Sequence, residues 1–355
     1  MSRYFSGRFA ALTPYVPGEQ PQDMQYVKLN TNESPFPPPQ VVLDAVSGES
    51  ACLQLYSDPD GRKLREKLSV RFGVSPEQLI LGNGSDEILY FAFMAFADDT
   101  HPIAMPDISY GFYPVLCSLL NLPNERIPLR EDLSLAVEDY CGLGKTVVIA
   151  NPNAPTGLAL SRKEIERIVA SNPEHVVIVD EAYVDFGAES ALPLVDRYDN
   201  LLVVQTFSKS RSLAGARLGF AVGNAALIAD LNTLRCSINP YNVNRMSLAA
   251  GLASVENDEY NLANCRTIME NRAWTREQLA KRGFQVPDSR ANFLFAKSPA
   301  AGGEALYKSL KERGVLVRHF GQERIRDYIR ITVGSADQME VLLKKIDEIL
   351  EEAST

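Results

Sequence analysis

The stretch Thr206-Phe-Ser-Lys-Ser-Arg-Ser-Leu-Ala-Gly-Ala-Arg-Leu-Gly-Phe220 lies between two apolar runs, 201–204 (Leu-Leu-Val-Val) and 218–222. Both runs read as short buried strands, so Lys209 sits just past the carboxyl end of the first. In an open α/β sheet that edge is where ligands are received. Lys209 offers an amine there, and Ser208, Ser210, Ser212 and Arg217 offer partners for a phosphate. A Ser-Lys pair taken alone reads more readily as a solvated surface loop, so its meaning depends on the neighbouring strands.

Two earlier segments repeat the same logic. The run 147–150 precedes Asn151-Pro-Asn-Ala-Pro-Thr-Gly157, and the run 176–179 precedes Asp180-Glu-Ala-Tyr-Val-Asp-Phe186. Between them, Ser161-Arg-Lys-Glu164 is a capping box opening a helix with Ile165, Ile168 and Val169 on one face. Val- and Ile-rich runs ~25–30 residues apart around helices read as parallel βαβ units. Parallel strands present their carboxyl ends on one edge, so Asn153, Asp180, Tyr183 and Lys209 are expected to converge.

Further upstream, a strand at 78–81 feeds Gly82-Asn-Gly-Ser-Asp-Glu87 and an apolar helix over 88–97. Exposed N–H groups at such a helix start can receive an anion. Tyr110, Phe112 and Tyr113 follow a further run at 102–106. A tyrosine at that position can stack on a flat ring, whereas Phe112 reads as packing. Residues 1–28 read as an arm rich in turn formers, and 29–250 as a large α/β domain. Residues 251–355 read as a smaller α+β domain joined by the arm. It has a long helix over 262–279, short strands at 286, 293–295, 315–317 and 328–332, and a last helix capped at Ser335-Ala-Asp-Gln338.

The chain has 355 residues, 45% hydrophobic and 23% charged, with a formal net charge of −9. That balance disfavours nucleic acid or an anionic membrane as main partner. No apolar run approaches the ~18–20 residues of a membrane span, and the start of the chain lacks the apolar stretch of a secretion signal. Five scattered cysteines read as reduced thiols of a cytoplasmic protein. Three isolated histidines offer no metal site and no histidine-centred triad.

A lysine, an aspartate, a tyrosine, an asparagine, hydroxyls and an arginine around one cleft define a narrow chemistry. Lys209 can form an imine with an aldehyde once its amine is neutral. An aspartate against a pyridine nitrogen keeps that nitrogen protonated and makes the ring an electron sink. Tyr183 and an asparagine can bond a ring hydroxyl, while Ser208, Arg217 and the amides near Ser85 can hold a phosphate. Pyridoxal 5′-phosphate (PLP) needs all of these at once.

With these motifs assembled, the chain resembles the histidinol-phosphate aminotransferases, a family of fold-type I PLP enzymes. The resemblance rests on Tyr56-Ser-Asp-Pro-Asp-Gly61, Gly82-Asn-Gly-Ser-Asp-Glu87, Asn153-Ala-Pro-Thr-Gly157, Asp180-Glu-Ala-Tyr183, Ser208-Lys209 with Arg217, Pro240-Tyr-Asn-Val-Asn244, Ala291-Asn-Phe293 and Arg330-Ile-Thr-Val-Gly334. It implies a mostly parallel sheet with flanking helices in a large domain plus a smaller α+β domain. It implies that Lys209 holds PLP and shuttles the proton, Asp180 pairs with the ring nitrogen, Tyr183 with the ring hydroxyl, and Tyr110 stacks. Ser85, Asp86, Ser208 and Arg217 surround the phosphate, and Tyr56 reaches the cofactor of a second subunit in a homodimer. Arg330 binds the substrate's anionic group, with Arg318 and Asn244 close by and Tyr15 as a lid.

The sequence departs from the family where Ala154 replaces the asparagine that bonds the ring hydroxyl. Asn153 or Asn151 takes over, or Tyr183 acts alone; Asn153 is the expectation adopted. Ser210-Arg211-Ser212 also stands where small and aromatic residues are commoner. The expected activity is transamination between L-histidinol phosphate and 2-oxoglutarate. Aromatic amino-acid transamination and threonine-phosphate decarboxylation are the alternatives on the same scaffold. A non-catalytic PLP-binding regulator is remote, since no basic DNA-binding module is visible.

Overall fold

The computed structural model describes residues 2–353. In chain order, the strands are β1 (Val27–Lys28), β2 (Leu79–Gly82), β3 (Ile103–Pro106), β4 (Asn124–Ile127), β5 (Thr146–Ala150), β6 (Val177–Asp180), β7 (Leu201–Thr206), β8 (Gly219–Gly223), β9 (Phe293–Lys297), β10 (Val315–Leu316), β11 (Arg318–His319) and β12 (Tyr328–Thr332). The helices are α1 (Gln40–Ser50), α2 (Arg62–Phe72), α3 (Ser85–Phe96), α4 (Phe112–Leu120), α5 (Arg162–Ser171), α6 (Ala225–Ile238), α7 (Arg245–Glu256), α8 (Asp258–Lys281), α9 (Gly303–Glu312) and α10 (Ala336–Ala353).

Seven strands form the main sheet in the order β2-β8-β7-β6-β5-β3-β4. From β7 through β4 the pairs are parallel, while β8 runs antiparallel to both β2 and β7. The reversal of β8 brings its first residue, Gly219, opposite both Gly82 and Thr206. The start of β8 therefore joins the edge where the parallel strands end.

The strands alternate between two cores. Val147, Ile149, Val177, Val179, Leu201 and Val203 face α2, α5 and α7 through Leu64, Leu68, Ile165, Ile168, Ala250 and Ala253. Val148, Ile178, Leu202 and Val204 face α3, α4 and α6 through Ile88, Phe91, Tyr113, Leu116, Ile228 and Leu231. This is the period of two of a pleated strand, with apolar residues at both phases because both faces are covered. The capping box at Ser161 and Glu164 is present, with the Glu164 amide donating to Ser161 Oγ at 3.4 Å.

A second core gathers Leu29, Phe186, Ile268, Leu279, Leu294, Leu306, Ile329, Ile331, Leu342 and Ile346. Its sheet is β11-β12-β9, and β1 pairs in parallel with β10. Helix α7 contributes to the first core and α8 to the second, so the change of core falls at Asn257. Segment 315–317 does not form one strand: Val315 and Leu316 pair with the arm, while Arg318 and His319 pair with β12. Near Val286 there is only an isolated bridge from Gln285 to Lys297.

Gly219 is the tightest junction between β8 and α3. A Cβ there would lie 2.5 Å from the Ser85 amide nitrogen and 2.6 Å from the Gly84 carbonyl carbon. Both atoms are backbone, so neither can swing aside. Gly219→Ala should lower unfolding stability in urea by ~1–3 kcal/mol. Gly48→Ala, inside α1 with nothing within 4 Å, should instead raise it by about 0.5–1 kcal/mol.

Candidate active site

The phase of β6 decides where Asp180 points. Ile178 faces α4, so Asp180, two residues on, faces it too, and Tyr113 of α4 donates from its hydroxyl to Asp180 Oδ2 at 2.7 Å. The Ala182 amide donates to the other oxygen at 3.2 Å. Burial pushes the Asp180 carboxyl up to about 6, with the Tyr113 bond pulling the other way. From the sequence alone, Tyr113 carries no role of its own beside Asp180. Its neighbours Leu116 and Cys117 on one helical face mark that face as buried, and a buried phenol needs a polar partner.

Asp180 opens onto a cavity of about 470 Å³ whose wall includes Tyr15, Asn32, Glu33, Ser85, Asp86, Tyr110, Ala154, Tyr183, Ser208, Lys209, Arg217, Arg318 and Arg330. The ends of β5, β6 and β7, the start of α3 behind β2, the segment that leads into β8 and the arm all reach it. Lys209 Nζ donates to the Thr31 carbonyl at 3.1 Å. Burial, and next the nearby Arg330 charge, push the Lys209 ammonium down to about 8. A neutral amine is thereby accessible near neutral pH.

One end of the cavity is built for an anion. Helix α3 begins at Ser85 behind Gly84, whose φ is 83°. A Cβ on Gly84 would lie 2.7 Å from Arg217 Nη2, so the missing side chain lets the guanidinium close over the helix start. Arg217, itself at φ 52°, donates to Asp86 Oδ2 at 3.1 Å, and the Tyr110 hydroxyl donates to Asp86 Oδ1 at 2.9 Å. The Asp86 carboxylate is thus occupied, which leaves its helix-start amide for a ligand. Thr206 Oγ1 and Ser208 Oγ lie 3.0 Å apart on the same rim.

The opposite wall carries Arg330. It donates to the Asn30 carbonyl at 3.0 Å and lies 5.4 Å from the Phe293 ring and 5.6 Å from the Phe320 ring. Its Nε is buried without a hydrogen-bond partner, a donor that an anionic group could satisfy. Arg318 faces the cavity but spends its guanidinium on the arm, donating to the Pro17 and Val16 carbonyls at 3.1 and 2.9 Å. The arm's Tyr15 packs edge-on against Tyr110 and Phe112.

Two expected residues, Asn153 and Asn244, are placed otherwise. Asn153 does not line the cavity: Oδ1 accepts from Ser109 at 2.8 Å, and Nδ2 donates to the Ile108 carbonyl and Thr156 Oγ1. Asn151 is no substitute, because its amide pairs in both directions with the Leu160 backbone. Asn244 is the N-cap of α7, its Oδ1 accepting from the Ser247 amide at 2.9 Å, and it too lies off the cavity wall. Tyr56 is 79% exposed and stacks on Tyr241 at 4.4 Å, away from its own chain's cavity. Beside Tyr183 stands Asn32, which donates from Nδ2 to the Tyr183 hydroxyl at 3.0 Å.

The donor set fits PLP. Asp180 would face a ring nitrogen, Tyr183 a ring oxygen and Lys209 an aldehyde. A helix start with Ser208 and Arg217 meets a phosphate. The two glycines 84 and 219 leave room for backbone and guanidinium to close on that phosphate.

The class I and II aminotransferase family matches residues 24–346. The histidinol-phosphate aminotransferase of Aromatoleum aromaticum is 46% identical over 99% of this chain and 100% of its own length. Histidinol-phosphate aminotransferase 1 of Bordetella parapertussis is 47% identical over 98% of this chain and 99% of its own. Among solved structures, the Sinorhizobium meliloti histidinol-phosphate aminotransferase in complex with pyridoxal-5′-phosphate superposes with a TM-score of 0.90, covering 99% of both chains. At 22% identity it speaks for the fold alone. This chain belongs to the histidinol-phosphate aminotransferase family of the class I and II aminotransferases.

Proposed function

We propose that this protein is a PLP-dependent aminotransferase of histidine biosynthesis. It interconverts L-histidinol phosphate and 2-oxoglutarate with imidazole-acetol phosphate and L-glutamate. The reading is carried by one cavity where Lys209, Asp180, Tyr183 and Arg330 meet, in a chain 46% identical along its length to such an enzyme.

When bound, PLP supplies an electron sink conjugated to the carbon that bears the substrate's amine. Asp180, backed by Tyr113, would face the ring nitrogen and hold its proton. Tyr183 would donate to the ring oxygen. The α3 amides, Ser208 and Arg217 would hold the phosphate. Lys209 Nζ, once neutral, takes the proton from the substrate α-carbon and returns it on the other side of the reaction. Arg330, with its free Nε, binds the anionic group of either substrate, while the Tyr15 arm excludes water from above. Both substrates carry anionic groups, so one arginine-lined wall serves both half-reactions.

We also propose a cytoplasmic homodimer. Tyr56 stands on an exposed surface with Leu53, Leu55, Ile238 and Tyr241, an apolar patch of the kind that marks a protein interface. Through it Tyr56 would reach the phosphate held by a second copy.

Steady-state assays with histidinol phosphate, phenylalanine and threonine phosphate should give the largest kcat/KM with histidinol phosphate. A dominant rate with phenylalanine would overturn the substrate assignment. Lys209→Ala should lower kcat by about 10²–10⁴-fold or more and abolish borohydride-trapped cofactor. A second expectation concerns the PLP-free protein. Between pH ~4 and ~6, Asp180 is protonated when folded but ionised when unfolded, so stability falls as pH rises through that window. Above it, Asp180→Asn should be more stable than the parent by about 2–3 kcal/mol. Urea melts across pH 4–8 would show parallel profiles if the acid were not raised.

A further inference from the structure

Asn32 sits in the left-handed region, with φ 56°, and is 1% exposed. Its amide donates to Thr332 Oγ1 at 2.9 Å, and Thr332 Oγ1 donates back to Asn32 Oδ1 at 3.1 Å. Its carbonyl accepts from Asn292 Nδ2 at 2.9 Å. With Oδ1 at Thr332 and Nδ2 at Tyr183, the Thr332 proton has an acceptor; with the amide turned over, two Asn32 N–H groups would point at Thr332 Oγ1 and its proton would lose this acceptor, so the network favours Nδ2 on Tyr183. In this arrangement the Tyr183 oxygen accepts from Asn32, which leaves its own proton for a partner in the cavity. The Tyr183 ring cannot swing away, because it packs edge-on against Phe293 at 5.0 Å and 89°. Ala154, in the same apolar cluster as Phe293 and Tyr183, offers the cavity no polar side chain.

From this geometry we infer that Asn32 is a positioning residue, which polarises Tyr183 and fixes it as the donor to the cofactor's ring oxygen. The inference rests on the PLP reading of the cavity. In it the Thr332-Asn32-Tyr183 relay replaces the asparagine absent at 154. Successive hydrogen bonds in a low-dielectric site strengthen one another. A stronger donor at the ring oxygen weakens that oxygen's hold on the neighbouring proton of the bound chromophore, so the proton leaves at lower pH. Arg330, Asp180, Lys209 and Tyr15 also face Tyr183, and the variants below leave these groups in place.

The test titrates the visible absorption of PLP-loaded protein against pH. Asn32→Gly removes the amide while tolerating the positive φ and keeping both backbone bonds. It should raise the apparent pKa of the absorption change by about half a unit, roughly threefold in proton affinity. In a Tyr183→Phe background the same substitution should have no effect. Thr332→Val, which releases the amide's orientation, should shift the pKa in the same direction and covers the case of a poorly folding glycine variant. An equal shift in both backgrounds, or no shift from either variant, would overturn the inference. A parent protein that forms no pH-dependent band with PLP would overturn the cofactor reading itself, and this inference with it.

Discussion

Burial of the central sheet on both faces is the constraint from which the site follows. Apart from Thr146, which opens β5 and donates to the Phe96 carbonyl, strands β5, β6 and β7 are apolar until their carboxyl ends, because a polar side chain mid-strand would find no partner. Polar residues appear only where the strands run out of helical cover. There each is met by another element: Asp180 by Tyr113 and Lys209 by Thr31; Arg330 reaches the same cavity from the middle of β12 in the second sheet, held by the Asn30 carbonyl. The chemistry is concentrated at this edge because it is the one place where the fold tolerates it. The reversed strand β8 adds to this. By running against its neighbours it brings a chain start, with Arg217 and Gly219, to an edge otherwise made of chain ends.

Much of this was legible in the residues. Three Val- and Ile-rich runs at regular spacing announce a parallel sheet, and their following residues announce a convergent cleft. The direction of β8 was not legible, since a five-residue apolar run carries no arrow. Side-chain allegiance was also hidden. Asn153 follows a strand end as a ligand-binding residue would, yet its amide is consumed by Ile108, Thr156 and Ser109. Asn32 lies 151 positions from Tyr183 in a turn-rich segment, where asparagine is common for its backbone tolerance alone. Only the tertiary pairing with Thr332 distinguishes it from a turn residue.

The arm illustrates how one arginine can be read two ways. Arg318, beside Arg330 in register across β11 and β12, has the position of a second anion ligand. In the structure its planar fork holds two consecutive arm carbonyls instead, which draws Tyr15 over Tyr110. Neutral carbonyls are weaker partners for a guanidinium than a carboxylate or phosphate. The same side chain can therefore hold the arm and still yield to a stronger acceptor.

The ionisable groups of the ligand-free cavity share one tendency. Burial raises Asp180 to about 6 and lowers Lys209 to about 8, each toward its neutral form, and lowers the Arg330 guanidinium. A site that holds an acid and bases this far from water carries a free-energy cost that packing elsewhere must offset. A ligand with a protonatable ring nitrogen and an aldehyde would supply partners to Asp180 and Lys209, and an anionic substrate group one to Arg330. Its binding energy then appears as added stability of the folded chain. The same desolvation that pushes these groups toward neutrality is what sets Lys209 up as a base near neutral pH, so reactivity and cofactor dependence have a single physical origin.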